Sequence, residues 1–342
     1  MKTYNNLYKK LCSLENLNIA WQKARKGKTK KFYVIEFEKN LEENLKKLQF
    51  ELENKIYFPQ PLKKFIIRDP KTRKIYSSVF RDRIIHHAIV NILEPIFEPI
   101  FIFDSYASRK NKGHHKALKR FDYFKRKVSL NGKKLKGIKD KNYICGYVLK
   151  ADIKNYFESV NHKILISIIE KIINDRDLIS LINKILANYE SEAKGKGMPL
   201  GNLTSQFFAN VYLNKLDYFV KHKLRTKYYI RYVDDFIILH NNKAVLENYK
   251  EKINHYLKNL KLELHPTKSR VIPLHKGTNF LGFRVFFHHK LLSKKNIKQI
   301  NKKLAEWKKE AASTERTLNN PCFFAFFKDF NFQVECIKEL VF

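Results

Sequence analysis

Two adjacent aspartates interrupt the apolar run IRYVDDFIIL at residues 230–239. Strands are depleted in aspartate, and a carboxylate buried without a partner is strongly destabilising. A tight turn explains the interruption, because aspartate tolerates turn geometry, and two short strands would then place Asp234 and Asp235 at the tip of a hairpin. A metal site explains it as well, because divalent cations neutralise paired carboxylates. The decapeptide therefore predicts an antiparallel hairpin and leaves open whether its tip holds metal.

The chain is strongly basic. Its 342 residues contain 69 lysines and arginines against 33 aspartates and glutamates, which gives a formal net charge of +36. Such an excess indicates a polyanionic partner, because self-repulsion otherwise destabilises the compact state. A hydrophobic content of 44% is enough for a sizeable core, and an aromatic content of 14% is not typical of a disordered basic tail. The composition predicts a folded nucleic-acid-binding protein. It does not favour membrane-surface binding, since the basic residues are not confined to one amphipathic helix.

The four cysteines, Cys12, Cys145, Cys322 and Cys336, lie far apart and form no CxxC pair. This spacing is not that of a zinc ribbon or a secreted disulfide framework, so free thiols are expected. The N-terminal segment has no apolar stretch typical of a signal peptide, and no apolar run reaches 18 residues. We therefore expect a cytoplasmic protein that does not bind membranes.

Hydrophobic periodicity and turn residues predict a mixture of helices and strands. In the first half they predict helices over 7–21 and 37–52 and a hairpin turning at Asp69-Pro70. They also predict a helix capped by Asp82 and ended by Pro95 and Pro99, a basic helix over 114–128, and a surface hairpin around 130–142. In the second half they predict a strand ending at Asp152, helices near 162–173, 177–189, 205–224 and 244–259, strands around LELHP and NFLGFRVFF, and a basic helical segment after residue 290. Because strands and helices do not alternate regularly, the pattern predicts an α+β fold.

Asp152, Asp234 and Asp235 form the constellation that indicates chemistry. Asp152 closes one strand, and the Asp-Asp pair lies on a hairpin that follows it in the chain. Three carboxylates from neighbouring strands in a basic chain suit two-metal phosphoryl transfer. Mg²⁺ keeps water or phosphate oxygens in its coordination sphere, so no larger cage is needed. The sequence therefore predicts two Mg²⁺ ions, with Mn²⁺ as a substitute; taken alone, Asp152 is also explained as a helix N-cap.

Sequence blocks in a fixed order resemble those of a known enzyme family. The stretches ADIKNYF, MPLGNLTSQFFANVYLNKLD, YVDDF, LHPTKS and NFLGF are similar to reverse transcriptase blocks three to seven. Upstream, FRDRIIHHAIVNILEPIFEPIF and DSYASRKNKGHHKAL resemble finger blocks of group II intron-like prokaryotic reverse transcriptases. The resemblance covers roughly residues 60 to 290. It implies a right-hand polymerase with N-terminal helices and fingers over 1–142, a palm of antiparallel sheet and helices over 143–290 that shares 190–205 with the fingers, and a small helical thumb over 291–342.

The stretch LGNLTSQ resembles one subfamily, the reverse transcriptases of diversity-generating retroelements. That resemblance implies an RNA-directed DNA polymerase that copies template RNA into cDNA with errors at adenines, for mutagenic retrohoming. The implied partners are the template RNA, the RNA–cDNA duplex, dNTPs and an accessory variability determinant protein, which in this family is a small basic helical oligomer. Retron-type, defence-associated and intron-derived reverse transcriptases are the alternatives. A non-catalytic RNA-binding protein on a polymerase scaffold is a further one.

The resemblance also implies roles for residues at the reaction centre. Asp152 and Asp234 would be the principal metal ligands, Asp235 would support them, and the Ile153 carbonyl would complete one coordination sphere. Phe157 resembles the steric gate that rejects a 2′-hydroxyl, and Tyr156 takes that role if the register slips by one residue.

Other matched positions would contact the substrate. Gln206 sits where the family's residue touches the incoming nucleotide and the template base, and Arg73 resembles the arginine that clamps the triphosphate. The weaker substrate-binding candidates are Arg68, Arg109 and Lys268. Gly201 and Gly282 would let the backbone approach and support the primer and template.

Overall fold

A computed structural model describes residues 3–68, 72–134, 143–189, 191 and 193–313. The helices are α1 Leu7–Cys12, α2 Leu14–Arg25, α3 Phe32–Lys39, α4 Leu41–Glu53, α5 Phe80–Phe97, α6 His114–Val128, α7 Tyr156–Ser159, α8 His162–Glu170, α9 Arg176–Ala187, α10 Leu203–Tyr218, α11 Lys243–Asn259 and α12 Lys294–Ser313. The strands are β1 Lys63–Ile67, β2 Arg73–Ser77, β3 Tyr147–Asp152, β4 Tyr229–Tyr232, β5 Asp235–His240, β6 Arg270–Pro273, β7 Thr278–Phe280, β8 Phe283–Val285 and β9 Lys290–Leu292. This mixture confirms the predicted α+β class.

Three sheets contain these strands. β1 and β2 form an antiparallel hairpin in which Phe65 lies opposite Ile75. The largest sheet has the order β4-β5-β3-β6, and β3 pairs antiparallel with β6. β7, β8 and β9 form an antiparallel meander. The order of the largest sheet brings the end of β3 next to the start of β5, which are the two places where the sequence puts its aspartates.

The chain divides into two compact units, and the first comprises Met1–Gly113, Ala151–Ile237 and Asn248–Ser269. Its centre is α5, which packs against α2 and α10. α10 is buried on almost all sides, with Phe208, Tyr212 and Leu216 each at 1% exposure or less. A helix that is buried on most of its faces belongs to the core, and α10 therefore gives the first unit a rigid centre.

The second unit comprises His114–Lys150, Ile238–Glu247 and Arg270–Phe342. Its α6 is amphipathic: Leu118 and Phe121 are buried, and the ring of Phe121 meets that of Phe280 edge-on at 5.8 Å. Lys125 is buried as well, and its ammonium donates to the Phe286 carbonyl at 2.6 Å and pairs with Asp122 at 2.7 Å. Burial lowers the pKa of Lys125, against the opposing effect of Asp122.

Some helix boundaries differ from those predicted. The helix expected over 7–21 breaks at Ser13, whose extended backbone and side chain cap α2 by accepting from the Asn16 N–H. The Asp82 cap was wrong, because α5 begins at Phe80 and Asp82 is buried inside its first turn. There Asp82 accepts from the Tyr57 hydroxyl at 2.9 Å and from the Gln60 N–H at 2.8 Å.

Other predicted helices and strands are partly confirmed and partly wrong. α5 continues two residues past Pro95, to Phe97, so this proline does not end it. The LELHP stretch forms only an isolated bridge between Leu264 and Ile153, and the sequence did not predict β6 or β9. The β1–β2 hairpin, α6 and the hairpin of β4 and β5 agree with prediction.

Several predictions concern residues that the structure does not describe. The Asp69-Pro70 turn, Cys322, Cys336, residues 135–142 and the thumb beyond residue 313 lie outside the described part of the chain. Within it, Cys12 and Cys145 are free thiols, as expected. No helix in that part is long and apolar enough to cross a membrane.

Candidate active site

The turn between β4 and β5 carries the aspartate pair. Asp234 is half-buried in the turn, and Asp235 is the first residue of β5. Val233, just before them, has φ +55°, in the left-handed region that a β-branched side chain rarely enters. Such a backbone persists only when the surroundings hold it, and it often marks a functional site. The predicted hairpin is confirmed, and its tip is strained.

The end of β3 brings Asp152 beside Asp234. The N–H of Ile153, which follows Asp152, donates to the Asp234 carbonyl at 3.2 Å. Burial raises the pKa of Asp234, and the charge of Asp152 raises it further, whereas the charges of Lys268 and Arg73 lower it. The structure thus gathers two like charges and two cationic side chains around one turn, all within the first unit.

Asp152 is held from the segment that follows α11. The His265 N–H donates to the Asp152 carbonyl at 2.7 Å. The Ser269 hydroxyl accepts from the Asp152 N–H and donates to its carbonyl, each at 3.3 Å. Lys268 Nζ lies 3.3 Å from Asp152 Oδ1. The sequence prediction placed Lys268 near this centre but missed Ser269 and His265, because their contacts use the backbone of Asp152.

The donor set fits a hard divalent cation. Asp152 and Asp234 present oxygen ligands whose mutual repulsion a Mg²⁺ or Mn²⁺ ion would relieve. Among the described residues there is no group of three or more His, Cys, Asp and Glu side chains poised to hold a metal. Asp235 directly follows Asp234 and opens a strand, along which successive side chains point to opposite faces. Two carboxylates are enough for Mg²⁺, and a supporting role for Asp235 remains a prediction.

The structure separates the roles of Tyr156 and Phe157. Tyr156 is only 2% exposed, and its hydroxyl donates to the Ala209 carbonyl at 2.8 Å, so it belongs to the core. Phe157 is half-exposed on α7, and its ring meets that of Tyr156 edge-on. Of the two, only Phe157 has a ring surface available to a ligand.

Gln206 lies on the first turn of α10. It is exposed between the buried Ser205 and Phe207, and it accepts from the Ser108 hydroxyl at 3.3 Å. The preceding loop packs closely on β2, since the Tyr76 N–H donates to the Leu200 carbonyl at 2.9 Å. The loop is therefore fixed against the β1–β2 hairpin while the Gln206 amide remains accessible.

Gly201 lies in the same loop and is required by its geometry. Its φ is +122°, and an added Cβ would lie 2.9 Å from the Tyr76 carbonyl oxygen. Gly282, in the second unit, has φ +84° in the turn between β7 and β8, and its carbonyl accepts from the Ser293 N–H at 2.9 Å. Both glycines allow close backbone contacts, and their part in primer and template support remains a prediction.

A buried polar network, which the sequence did not predict, joins β2, α5 and α10. The Ser78 N–H and hydroxyl both donate to Asn202 Oδ1, at 3.3 and 2.9 Å. The His86 ring nitrogens contact the hydroxyls of Ser78 and Thr204, each at 2.9 Å. Burial lowers the pKa of His86 to about 3, so it is neutral at physiological pH. An isolated HH pair carries no signal for such a role.

The predicted arginines differ in what they contact. Arg73 and Arg68 are exposed, and Arg73 is near enough to lower the pKa of Asp234. Arg109 is only 6% exposed and pairs with Glu98 at 2.7 Å. Its Nη1 also donates to the carbonyls of Ile102 and Ser105, at 2.7 and 2.9 Å. Substrate binding by Arg109 would require breaking this network, whereas Arg73 is available as it stands.

One protein family matches more than half of this chain. The family Reverse transcriptase (RNA-dependent DNA polymerase) matches residues 66–285. The group II intron-encoded protein LtrA of Lactococcus lactis subsp. cremoris is 29% identical over 233 residues, which are 65% of this chain and 35% of LtrA. Protein YkfC of Escherichia coli K12 is 25% identical over 283 residues and covers 70% of both chains. This chain thus spans about a third of the length of LtrA.

A solved structure supports the fold. Telomerase from Candida albicans, solved with a fragment of telomeric RNA, aligns with a TM-score of 0.50 at 10% identity, over 70% of this chain and 48% of that one. The alignment confirms the predicted right-hand polymerase fold.

Proposed function

This chain belongs to the reverse transcriptase (RNA-dependent DNA polymerase) family, and from that premise we propose that it copies template RNA into adenine-mutagenised cDNA for a diversity-generating retroelement. Its enzyme class is RNA-directed DNA polymerase. The observation that supports the reaction is the pairing of Asp152 and Asp234 at adjoining strand ends, within the matched residues. The observation that supports the subfamily is the LGNLTSQ loop, which ends in the exposed Gln206.

Each residue of the site has a role in this proposal. Asp152 and Asp234, with Asp235 and the Ile153 carbonyl, would hold two Mg²⁺ ions, which supply an activated 3′-hydroxyl and neutralise charge on the triphosphate. Arg73 binds the triphosphate through a planar guanidinium that suits phosphate oxygens. Lys268 stays beside Asp152 and balances its charge. Together these groups orient a dNTP and compensate the charge that develops on it.

Phe157 is proposed as the gate that selects deoxyribonucleotides. We expect Phe157→Ala to accept ribonucleotides, with the preference for dNTP over rNTP falling by about 10-fold or more, because one lost steric contact changes discrimination by about that factor. The measurement is kcat/KM for dCTP and CTP on one primed RNA template. Tyr156→Phe is the matched control, since it removes the buried hydroxyl and leaves the Phe157 ring in place. An unchanged preference in Phe157→Ala would contradict the assignment.

Gln206 is proposed to influence the fidelity of cDNA synthesis. Its amide can donate and accept hydrogen bonds at a sugar or base edge, whereas the proline found at this block in intron-encoded enzymes cannot. The test is to sequence cDNA made by the wild type on a template rich in adenines. Errors concentrated opposite adenines support the subfamily, and accurate cDNA argues against it.

An intron-derived reverse transcriptase is the second candidate, because LtrA is an intron-encoded relative. It predicts accurate cDNA in the same experiment and no near-repeat of the template that differs at adenines in neighbouring DNA. The chemistry at Asp152 and Asp234 would be the same.

The proposal extends to partners and domains. RNA and the RNA–cDNA duplex are the polyanions that the net charge of +36 suits. An accessory variability determinant protein would bind through shared RNA, since a basic chain and a basic oligomer repel each other. The N-terminal helices and fingers are proposed at 1–142, the palm at 143–290 with part of the fingers around 190–205, and the helical thumb at 291–342. Loss of the protein complex on nuclease treatment would support the RNA-mediated contact.

A further inference from the structure

A fully buried ion pair lies beneath the aspartate turn. Arg231, in β4, and Asp217, in α10, are both 0% exposed. The guanidinium binds the carboxylate through two bonds, Nε to Oδ1 at 2.7 Å and Nη2 to Oδ2 at 2.6 Å. The Tyr229 hydroxyl also donates to Oδ1, at 2.7 Å. Asp217 therefore fixes the guanidinium on the rigid α10.

The remaining nitrogen of the guanidinium reaches the strained turn. Arg231 Nη1 donates to the Val233 carbonyl at 3.0 Å and to Asn210 Oδ1 at 3.2 Å. Asn210 is fixed in turn, because its Nδ2 donates to the Ala107 carbonyl at 2.9 Å. The Val233 carbonyl belongs to the peptide that leads directly into Asp234, so the side chain of Arg231 holds the peptide just before Asp234.

The backbone of Arg231 is held from the other side. Its N–H donates to the Asp104 carbonyl at 3.0 Å, and its carbonyl accepts from the Tyr106 N–H at 2.9 Å. The backbone and side-chain hydrogen bonds of Arg231 together fix the chain on the N-terminal side of the peptide bond between Val233 and Asp234. The left-handed backbone of Val233 needs such support, because a valine there is strained and relaxes when nothing holds it.

Stability alone does not require this pair. A buried ion pair costs so much desolvation that well-packed apolar residues of similar volume often serve as well. The pair does something apolar residues cannot, since it provides a directed donor to the carbonyl before Asp234. Partners that orient a metal ligand typically change metal affinity by about 10- to 100-fold when removed.

We propose that Arg231, held by Asp217, is a positioning residue that clamps the Val233 carbonyl and so sets Asp234 beside Asp152. The inference rests on the proposed function, because it assigns Arg231 to the geometry of the same site. Arg231 touches neither substrate nor metal and acts only through the turn.

The test removes the clamp without leaving a buried charge. The double variant Arg231→Met/Asp217→Leu is compared with wild type and with a control double, Arg25→Met/Glu38→Leu, which removes a partly exposed ion pair between α2 and α3. Mn²⁺ affinity is measured by EPR on the protein alone, thermal unfolding without metal, and kcat and KM for dNTP on a primed RNA template. We expect wild-type unfolding, Mn²⁺ affinity lower by about 10- to 100-fold, and reduced kcat at unchanged KM.

Two further variants keep the test decisive if the double variant does not fold. Arg231→Lys keeps an ion pair with Asp217 but has no second nitrogen to reach Val233, and we expect it to lose Mn²⁺ affinity in the same direction. Adding Val233→Gly to it should restore part of that affinity, because glycine adopts positive φ without strain. Wild-type Mn²⁺ affinity and kcat in a folded clamp variant would overturn the proposal. Wild-type protein that binds Mn²⁺ but makes no cDNA would overturn the proposed function and leave the affinity comparison valid.

Discussion

We expect Asp234→Asn to abolish RNA-templated DNA synthesis while the protein stays folded. Asparagine keeps the shape of the side chain but loses the negative charge, so it is a poor ligand for a hard cation. Metal ligation contributes several kcal/mol to charge stabilisation in the transition state, which corresponds to a loss of about 10³-fold or more in rate. We expect the same loss for Asp152→Asn, because the two carboxylates act on one site.

The fold should tolerate Asp234→Asn. Burial and the charge of Asp152 raise the pKa of Asp234 in the folded protein. Because this pKa is raised, the protonated carboxyl contributes to folding stability, and that contribution is lost as the pH rises through the pKa of the folded state. At neutral pH the ionised carboxylate therefore lowers the free energy of unfolding. The thermal midpoint of the variant at pH 7 should therefore not fall below that of wild type.

Asp177→Asn is the control for this experiment. Asp177 is a surface carboxylate in α9 that pairs with Lys55, and 42% of its side chain is exposed. We expect wild-type primer extension from it. Substantial extension by Asp234→Asn under conditions in which Asp177→Asn is fully active would contradict the assignment of Asp234.

Asp217→Ala should produce the largest loss of stability. The substitution leaves the Arg231 guanidinium buried at 0% exposure without its carboxylate. Removing one partner of a buried ion pair typically costs about 3–5 kcal/mol of unfolding free energy, because an uncompensated charge remains in the interior. The measurement is chemical denaturation followed by circular dichroism, with wild type and variant side by side.

Asp177→Ala is the matched control for stability. It removes the same kind of side chain from an exposed pair, and such pairs contribute less than about 1 kcal/mol. The apolar double Arg231→Met/Asp217→Leu should be close to wild type, since it removes both charges. If Asp217→Ala were as stable as Asp177→Ala, the buried pair would not have the energetic role assigned to it.

The sequence allowed prediction of the site because its signal is local. Asp152 closes an apolar strand and Asp234 interrupts another, and carboxylates in such places need either a turn or a cation. The β4–β5 hairpin and the proximity of Asp152 followed from that pattern. The sequence predicted the position of the steric gate only to within one residue, at Phe157 or Tyr156. The packing of α7 and α10 decides which of two neighbouring aromatic side chains is buried, and the sequence alone does not show that packing.

The supports of the site were harder to predict because they are non-local. Arg231 stands between Ile230 and Tyr232 in a strand predicted to be buried, and Asp217 stands in a helix that is mostly buried. A buried charge needs a partner, so Arg231 and Asp217 each predicted an ion pair. Nothing in the sequence indicated that the two residues pair with each other. The buried network joins Ser78 and His86 to Asn202 and Thr204, more than 100 positions further along the chain, and no sequence signal indicated it.

Local sequence rules also predicted wrong helix boundaries where tertiary contacts or a cap determined them. Asp82 followed by an apolar run is typical of an N-cap, yet α5 begins two residues earlier and the carboxylate binds Tyr57 in the core. The stripe from Leu7 to Trp21 suggested one helix, yet Ser13 breaks it. In both cases a tertiary contact or a cap overrode the periodicity.

Primer extension by the wild-type protein on a defined RNA template is the direct test of polymerase activity. The reaction contains Mg²⁺ and four dNTPs, and the product is sequenced. We expect full-length cDNA complementary to the RNA, made by wild type and Asp177→Asn and not by Asp234→Asn. Folded wild-type protein that binds the template but extends no primer, even with the accessory protein present, would contradict it and leave an RNA-binding protein on a polymerase scaffold.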